Sequence, residues 1–430
     1  MKSSWFWHFS PEVSEEVKDL LKRRLENIEN PGETIKINPY RRCCRIAFKP
    51  DSKSFFIKYH FPRKREGLKF LIINSRAKAE WKSMLIFNNL GIPTAIPVGY
   101  GEKYKGIFLK DSVFISQEIS HARPFRNLAF KEPELYFSLL GKLFAVLHNS
   151  NIPFPDPHID NILVRRRGIY IIDLQKARFP KFLGLKKRIK DLSFIAFSIL
   201  YRGKNLKALD IFISAYLEEI RMPVLPEEKL KKMLKENALK LWRSWLKKRF
   251  RHSFKETGKF VRAWAILYRR NHDIQKIKTT YKTGSCEGYY FDTNGDPKKV
   301  WRAGLALELM EIPASLPVAI SSRGVILYLP EGAKPLHELS EPDPVELGKF
   351  IGLIGNSPIA LKEEFSLGDI RFHHSGFLWG ALHKIIPKDT PDKNLLLKLL
   401  KGLNSFHLLT GKKFSLLEKE AHEFKPWWKF

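Results

Sequence analysis

The chain has 430 residues, 44% hydrophobic and 28% charged, which predicts two or three globular domains and excludes an intrinsically disordered protein. The formal net charge of +31 favours an anionic partner, such as nucleic acid, an acidic membrane surface or a phosphorylated substrate, although a merely solvated basic surface is the alternative. The three cysteines show no C-x-x-C spacing, so neither a disulfide framework nor a zinc site is indicated and a reducing compartment is expected.

The first residues, MKSSWFWHFS, lack the apolar core and the small-residue cleavage site of a signal peptide. The longest uninterrupted apolar stretches, such as LSFIAFSIL, are far shorter than the roughly 20 residues that a membrane-spanning helix needs. We therefore expect a cytoplasmic protein whose contact with a membrane is at most peripheral.

Alternating apolar and polar residues predict antiparallel strands in ETIKINP, RIAFKP and SFFIKYH. A helix is predicted through SRAKAEWKSMLIFNNL, ending at Gly91, and is followed by strands around IPVGY and VFISQEI. An apolar-periodic helix, PELYFSLLGKLFAVLHNS, precedes a loop (FPDPHIDN), two strands (ILVR and IYIID) around a turn at Gly168, and a buried helix, RIKDLSFIAFSILYRG. This order of elements indicates an α+β fold with two lobes.

The segment RMPVLPEEK, with Pro223 and Pro226, is predicted to be a domain boundary. The following segment, KLKKMLKENALKLWRSWLKKRFRHSF, places Leu, Met and Trp at helical spacing among many Lys and Arg residues of 229–251. Such a helix can lie on an anionic lipid surface, or its apolar face can pack on a neighbouring domain. Packing is favoured, because packed helices outnumber interfacial ones.

The second half of the chain resembles a shortened copy of the first half. LGKLFAVLHNSNI, from Leu140, pairs without a gap with LGKFIGLIGNSPI, from Leu347. Upstream, EWKSMLIFNNLGIPTAIPVGY pairs with VWRAGLALELMEIPASLPVAI, which matches Trp81 with Trp301. Two similar stretches in the same order predict an internal duplication.

Three carboxylates and an amide lie close together between Phe154 and Arg178. Phosphoryl transfer uses a carboxylate to orient or deprotonate the acceptor hydroxyl, and an amide and a second carboxylate to hold a divalent metal. Asp156 is followed five residues later by Asn161, and Asp173 closes the strand IYIID, which is the spacing of the protein-kinase site. Asp156 is therefore the candidate catalytic residue, and Asn161 and Asp173 are the candidate Mg²⁺ ligands.

A Lys that contacts the phosphates of ATP is also expected. Lys58 lies between apolar residues in SFFIKYH, where a buried ammonium group needs an anionic partner. Glu80, on the next helix, can form the ion pair that orients Lys58 towards the phosphates.

Three further residues complete the predicted site. The turn from Asn38 to Cys44 has no glycine to cradle a phosphate, so Arg41 and Arg42 are the candidate phosphate contacts there. Asp191, in RIKDLSF, can brace the catalytic loop, or it can simply be an acid favoured by the helix dipole, and the sequence leaves both open.

At these residues the sequence resembles a known family, the lipopolysaccharide core kinases (heptose and Kdo kinases with a protein-kinase-like fold). The resemblance covers about residues 30 to 220, and it rests on RRCCRIAFKPDSKSFFIKYH, SRAKAEW, GIPTAIPVGYG, DPHIDNIL, IIDLQKAR and RIKDLSF. It implies ATP- and Mg²⁺-dependent phosphorylation of a sugar hydroxyl in the lipopolysaccharide inner core, at the cytoplasmic face of the inner membrane. Two motifs depart from the protein-kinase pattern: Phe154 replaces the usual His, and Asp173-Leu174-Gln175 replaces DFG.

The resemblance also implies the site roles. By position, Asp156 is catalytic, Asn161 and Asp173 bind metal, Lys58 contacts phosphate and Glu80 is its partner. With the predicted boundary and the internal duplication, four domains are expected: an N-lobe (1–115), a C-lobe (116–222), a basic amphipathic helical connector (226–272) and a degenerate kinase-like, or pseudokinase, domain (273–430).

The second copy is predicted to lack a kinase metal site. In the ungapped pairing Asp156 matches Glu363, Asn161 matches Gly368 and Asp173 matches Gly380, while Glu80 matches Val300. Because glycine has no side-chain oxygen, this copy is expected to be structural or substrate-binding.

Two other functions stay open at the level of sequence. One is a kinase-fold phosphotransferase acting on another small-molecule or protein hydroxyl. The other is a non-catalytic pseudokinase that binds an anionic surface. The expected partners are the lipopolysaccharide core or another anionic glycolipid and the anionic inner-membrane surface, whereas nucleic acid is not expected, since no nucleic-acid module is recognisable.

Overall fold

The computed structural model divides into two compact units, Met1–Ala238 (unit 1) and Leu239–Phe430 (unit 2). The residues that the structure describes are 4–26, 32–38, 40–47, 54–62, 67, 70, 72–166, 168–203, 206–257, 259–263, 266–330, 332–339, 342–357, 359–364, 366–374, 376–388, 392, 394–405, 409 and 411–424. Within these ranges, no helix combines the length and the apolar character that crossing a bilayer requires.

Unit 1 is built from a large sheet followed by a mainly helical part. Its elements are β1 (Ser4–Phe9), α1 (Glu15–Glu26), β2 (Glu33–Asn38), β3 (Arg41–Ile46), β4 (Phe55–His60), α2 (Arg76–Asn89), β5 (Pro97–Lys105), β6 (Phe108–Gln117), β7 (Arg123–Pro124), α3 (Phe125–Leu128), α4 (Pro133–Asn149), β8 (Ile162–Arg165), β9 (Gly168–Ile171), α5 (Leu185–Gly203) and α6 (Leu206–Glu219). The α+β character and the long helices are as the sequence predicts.

The large sheet of unit 1 is antiparallel, with the strand order β1-β5-β6-β4-β3-β2. One face is covered by α1, whose Leu21 and Leu25 are buried in one core with Ile57 and Ile115. Helix α2 contacts β4, β5 and β6. Since successive side chains of a strand point to opposite faces, Lys58 lies on the face opposite Ile57.

The start of the sheet differs from the prediction in two ways. The predicted turn from Asn38 to Cys44 is wrong, because Arg41–Ile46 is strand β3, which pairs with β4 from Arg41 onwards. The N-terminal strand β1 and helix α1 were not predicted. Trp5, Trp7 and Phe9 of β1 pack against the core that α1 covers, which explains the alternating aromatic residues at the start of the chain.

The second part of unit 1 holds a small sheet with the order β7-β8-β9 and the helix pair α4 and α6. The small sheet connects to the loop after α2 through Ile171, whose N–H donates to Pro93 O (2.9 Å) and whose O accepts from Thr94 Oγ1 (2.7 Å). The hairpin between β8 and β9 turns at Arg166, which has φ 53°, and Gly168 is the first residue of β9.

Helix α7 (Glu227–His252) carries the basic sequence and includes the boundary between the two units. Its apolar stripe is buried: Leu230 and Leu234 in unit 1, and Trp242 and Leu246 in unit 2. The stripe is therefore packed in protein, as favoured above. The segment 226–272 is helical only as far as His252, because strands follow it at Phe260–Ala263 and Ile266–Arg269.

Unit 2 has a second large sheet and its own helical part. After α7 come β10 (Phe260–Ala263), β11 (Ile266–Arg269), α8 (Ile274–Thr283), β12 (Ser285–Cys286), β13 (Tyr289–Asp292), α9 (Pro297–Leu309), β14 (Leu316–Ile320), β15 (Val325–Tyr328), β16 (Lys334–Pro335), α10 (Pro344–Gly355), β17 (Ile359–Leu361), β18 (Ile370–His373), β19 (Gly376–Trp379), β20 (Ile385–Pro387), α11 (Leu395–Ser405) and α12 (Gly411–Glu423). The sheet order is β10-β11-β14-β15-β13-β12. Five neighbouring strands of this sheet have the same relative order as five strands of unit 1: β11-β14-β15-β13-β12 corresponds to β1-β5-β6-β4-β3.

Hydrogen bonds in the hairpins of the two units occur at corresponding places. Ile172 N donates to Asn161 O (2.9 Å), and Gly380 N donates to Asp369 O (2.7 Å). This correspondence pairs Asn161 with Asp369, one residue later than the ungapped sequence pairing with Gly368. By the same shift, Asp173 corresponds to Ala381 rather than to Gly380.

Candidate active site

Lys58 and Glu80 form a buried ion pair in unit 1. Lys58 lies in β4 on the sheet face towards α2, and its Nζ donates to Glu80 Oε1 at 2.6 Å. The two residues are only 5% and 0% exposed, so neither charge is solvated by bulk water. Burial alone would lower the pKa of Lys58, but the carboxylates of Glu80 and Asp173 outweigh it and hold that pKa above its usual value.

Asp173 is the third member of this group. It follows β9 with φ 64° and ψ 53°, a left-handed conformation that is uncommon for a residue with a side chain. Its Oδ1 accepts from Lys58 Nζ at 3.1 Å, and its Oδ2 lies 3.7 Å from Arg41 Nη1. Burial acts to raise the pKa of Asp173, but Lys58 and Arg41 outweigh it and hold the pKa below its usual value, so the carboxylate is ionised.

Asp156 and Asn161 are held together by the loop that contains both. The side-chain Nδ2 of Asn161 donates to the backbone O of Asp156 at 3.0 Å. The other polar atom of this amide, Oδ1, is an acceptor and is not used in that bond. The backbone O of Asn161 accepts from Ile172 N, so the loop lies beside the residue that precedes Asp173. The Asp156 carboxylate is about half exposed and pairs through Oδ2 with Lys176 Nζ at 2.9 Å.

The loop is supported from the buried helices. Asp191 Oδ2 accepts from the backbone N–H of Phe154 at 2.8 Å, and it lies 3.6 Å from Nε2 of the buried His148. Phe154 itself is stacked on Phe144, with ring centroids 4.9 Å apart. Further along, Ile159 N donates to Ser198 Oγ. The loop backbone is therefore anchored on α4 and α5 while the Asp156 side chain faces solvent.

Arg41 and Arg42 are neighbours in sequence but not in space. In the β3–β4 register Arg41 is opposite His60, and Arg42 is opposite Tyr59. Alternation along the strand puts Arg41 on the face of Lys58 and Arg42 on the other face. The structure thus brings Arg41 to Asp173 and does not bring Arg42 there.

Two residues near the site were missed in the sequence. Lys176, which pairs with Asp156, is three residues after Asp173, and its exposed position gives no pattern that would single it out. His60 shares the face of Lys58 and is 2% exposed, and neither ring nitrogen has a hydrogen-bond partner among the described residues. Burial, together with Lys58 and Arg41, lowers the pKa of His60 to about 3, so the ring is neutral.

The donor set fits the hard cation of a kinase. Among the described residues, no cluster of three or more His, Cys, Asp or Glu is arranged to hold a metal ion by itself. Mg²⁺ is commonly bound by only one or two protein carboxylates together with phosphate oxygens and water. The Asp173 carboxylate and the Asn161 Oδ1 supply oxygen ligands of that kind.

Comparison with known proteins agrees with this geometry. Residues 30–216 match the model of the family described as "Lipopolysaccharide kinase (Kdo/WaaP) family". No curated protein matches the chain. Among the solved structures that match, one described as "WaaP in complex with acyl carrier protein" aligns with 56% of this chain and 100% of its own, at 18% identity and a TM-score of 0.39. Residues 30–216 are thus similar to a family of lipopolysaccharide kinases, which supports a kinase.

Proposed function

We propose that unit 1 transfers the terminal phosphoryl group of ATP to a sugar hydroxyl, of heptose or Kdo, in the inner core of lipopolysaccharide. The observation that carries the proposal is the buried contact of Lys58 with both Glu80 and Asp173, beside the loop that joins Asp156 to Asn161. Burying a Lys between two carboxylates costs desolvation free energy. Kinases use a Lys held in this way to position the phosphates of ATP.

Each residue has one role in this proposal. Lys58, oriented by Glu80, contacts phosphate oxygens, and Arg41 adds positive charge beside them. Asp173 and the Oδ1 of Asn161 hold Mg²⁺, which supplies charge neutralisation for the phosphates. Asp156 accepts the proton of the acceptor hydroxyl as the sugar oxygen bonds to phosphorus and the bond to the ADP oxygen breaks. Asp191 fixes the loop through Phe154 N.

The net charge of the chain supports the proposed acceptor and location. The inner core is an anionic glycolipid, and a chain with a net charge of +31 attracts such a molecule and the anionic surface in which it is embedded. We therefore place the protein at the cytoplasmic face of the inner membrane as a peripheral protein.

Transfer of labelled phosphate from Mg-ATP to purified lipopolysaccharide lacking core phosphate tests the proposal. Asp156→Asn should lower the transfer rate roughly 10²- to 10⁴-fold, because it removes the proton acceptor without removing bulk. The matched control is Asp160→Asn, an exposed acid of the same loop that pairs at 3.8 Å with Arg126. Equal rates for wild type and Asp156→Asn would remove the role given to Asp156.

We also propose that unit 2 is a degenerate kinase-like domain. The shared strand order, the matching positions of α8 and α9 with α1 and α2, and the corresponding hairpin hydrogen bonds support this. Strand registers equate Ile115 with Ile326, and hence Lys58 with Asp292. A carboxylate therefore stands where unit 1 has the phosphate-contacting Lys.

The remaining charges of unit 2 also differ from those of a nucleotide site. Asp369, the counterpart of Asn161, is occupied by Ser366 N (2.7 Å) and Lys384 Nζ (2.8 Å) through Oδ2. Asp292 lies 3.5 Å from His383 Nδ1, and Ala381 replaces the metal-binding Asp. Negative charge at Asp292 repels phosphate, so unit 2 should not bind ATP.

Calorimetric titration with Mg-ATP separates one nucleotide site from two. We expect one ATP per chain, and we expect Lys58→Met to abolish the binding, while Lys384→Met in unit 2 leaves it unchanged. A stoichiometry of two, or one site remaining in Lys58→Met, would contradict the assignment of unit 2.

A further inference from the structure

Unit 2 contains a cavity of about 500 Å³ beside its kinase-like cleft, and His383, which lies 3.5 Å from Asp292, is part of its lining. Its walls come from the C-terminal half of α7, from α9 and from β20. The floor is apolar and consists of buried side chains: Leu246, Val300, Ala306, Met310 and Ile385. The volume is within the range of small-molecule sites.

The rest of the lining is strongly basic. Six basic side chains line the cavity, namely Arg243, Lys247, Lys299, Arg302, Lys362 and Lys388. The lining has one carboxylate, Asp296, and its Oδ1 is engaged in capping α9 through Lys298 N (2.8 Å). The Nε of Arg243 is buried without a hydrogen-bond partner among the described residues. An unpaired buried donor is costly, and an anionic ligand would satisfy it.

The apolar floor and the basic side chains together indicate the chemical class of the ligand. An apolar floor alone would accept any apolar molecule, and basic side chains alone are found on any solvated basic surface. A closed apolar floor rimmed by several cations matches a molecule with an alkyl chain at one end and a multiply charged anion at the other. Phosphate suits several cations, and Arg in particular, better than a singly charged carboxylate does.

We propose that this cavity binds an anionic amphiphile, an alkyl chain that carries a phosphate group, with the chain on the floor and the phosphate among the basic side chains. The proposal concerns unit 2 and does not rest on phosphoryl transfer in unit 1. A ligand of this class is a membrane-derived lipid phosphate.

Calorimetry on the full chain, without nucleotide, tests the ligand class with three probes. Octyl phosphate has both features, octyl β-glucoside has the same chain without charge, and glycerol 3-phosphate has the phosphate without the chain. We expect octyl phosphate to bind at least roughly 100-fold more tightly than glycerol 3-phosphate, since each buried methylene contributes about 0.8 kcal/mol. Binding should also weaken with added salt, because the charged rim is partly exposed. If octyl phosphate bound no more tightly than octyl β-glucoside or than glycerol 3-phosphate, the proposal would be overturned.

Two variants on one helix locate the site. Lys299 lines the cavity, and Lys298, the preceding exposed residue, does not. Lys299→Glu should weaken octyl phosphate binding roughly tenfold, and Lys298→Glu should leave it within about twofold. Ile386→Asp, at a partly exposed lining residue, should weaken it as well. An equal effect of Lys299→Glu and Lys298→Glu would show only general attraction to the basic surface and would overturn the proposal.

Discussion

The Nζ of Lys58 lies 2.6 Å from Oε1 of Glu80 inside unit 1, although the two residues belong to a strand and a helix that are 22 residues apart. The pair is buried between the sheet and α2, and Asp173 joins it from the far side of the cleft. The position of α2 therefore decides where the ammonium group lies. Any change that moves Glu80 should alter catalysis before it alters the fold.

Glu80→Gln should separate catalysis from stability. The variant keeps the shape of the side chain but loses the charge that holds Lys58, so Asp173 alone would attract the ammonium group. We expect kcat/KM for ATP to fall by roughly tenfold or more. The melting temperature should fall less than in a variant that removes the ammonium group, because the amide oxygen of Gln can still accept from Lys58 Nζ and Asp173 still pairs with it.

Lys58→Met is the contrasting change. It leaves the buried carboxylate of Glu80 and the partly buried carboxylate of Asp173 without their ammonium partner, which should cost about 3–5 kcal/mol of unfolding free energy. Urea unfolding measures this loss, and phosphate transfer should disappear in the same variant. A Lys58→Met protein as stable as wild type would mean that the ion pair is not buried in solution.

Much of the site could be predicted because its spacing is local. Asp156 and Asn161 lie on one loop and Asp173 ends the next hairpin, so one stretch of sequence contains them all. The contact of Lys58 with Asp173 joins residues 115 positions apart, and both residues were assigned to the site from the sequence without that contact being predicted. Tertiary pairing of that kind leaves no periodic pattern in the sequence.

The errors have equally physical causes. Arg41 and Arg42 were both assigned to phosphate because β3 was expected to begin later. In a strand, a one-residue shift of register exchanges the two faces, so only one of two neighbouring Arg residues can reach the cleft. The ungapped repeat pairing differs from the structural correspondence for another reason: one extra residue in the loop between α10 and β18 of unit 2 changes the partner of Asn161 from Gly368 to Asp369.

Lys176→Gln tests a residue that the sequence did not reveal. Lys176 pairs with the Asp156 carboxylate at 2.9 Å, so it should position the proposed proton acceptor and not the nucleotide. We expect kcat to fall roughly tenfold while KM for ATP stays within about twofold of wild type. The control is Lys181→Gln, an exposed Lys outside the site. A rise in KM alone would assign Lys176 to nucleotide binding instead.

His60 predicts a pH dependence of stability. Its pKa is lowered to about 3 in the fold, by burial and by Lys58 and Arg41, whereas an unfolded His titrates near 6.5. The unfolded chain therefore binds a proton that the folded chain does not, and the stability present above pH 6.5 is lost as the pH falls. Between pH 7 and pH 5 the loss should be about 2 kcal/mol.

Urea unfolding of wild type and His60→Asn at pH 7 and pH 5 checks this value. The variant should lose about 2 kcal/mol less than wild type over that interval, because it lacks the titrating ring. His121→Asn, at an exposed position, serves as the control and should behave as wild type. If His60→Asn and wild type change by the same amount, the ring is not held neutral by the fold.

Glycines in the repeated LGK motif close corresponding helix contacts in the two units. A Cβ on Gly141 of α4 would lie 2.8 Å from Tyr216 N of α6, and one on Gly348 of α10 would lie 2.6 Å from Leu417 O of α12. Gly141→Ala and Gly348→Ala should each lower the unfolding free energy by about 1–3 kcal/mol, because the backbones must move apart. Gly184→Ala, whose Cβ would meet Phe182 Cε1 only at 3.4 Å, is the control and should be nearly neutral. Without the close contact, alanine would stabilise a helix by up to about 1 kcal/mol, so a gain in stability at either position would contradict the predicted crossing.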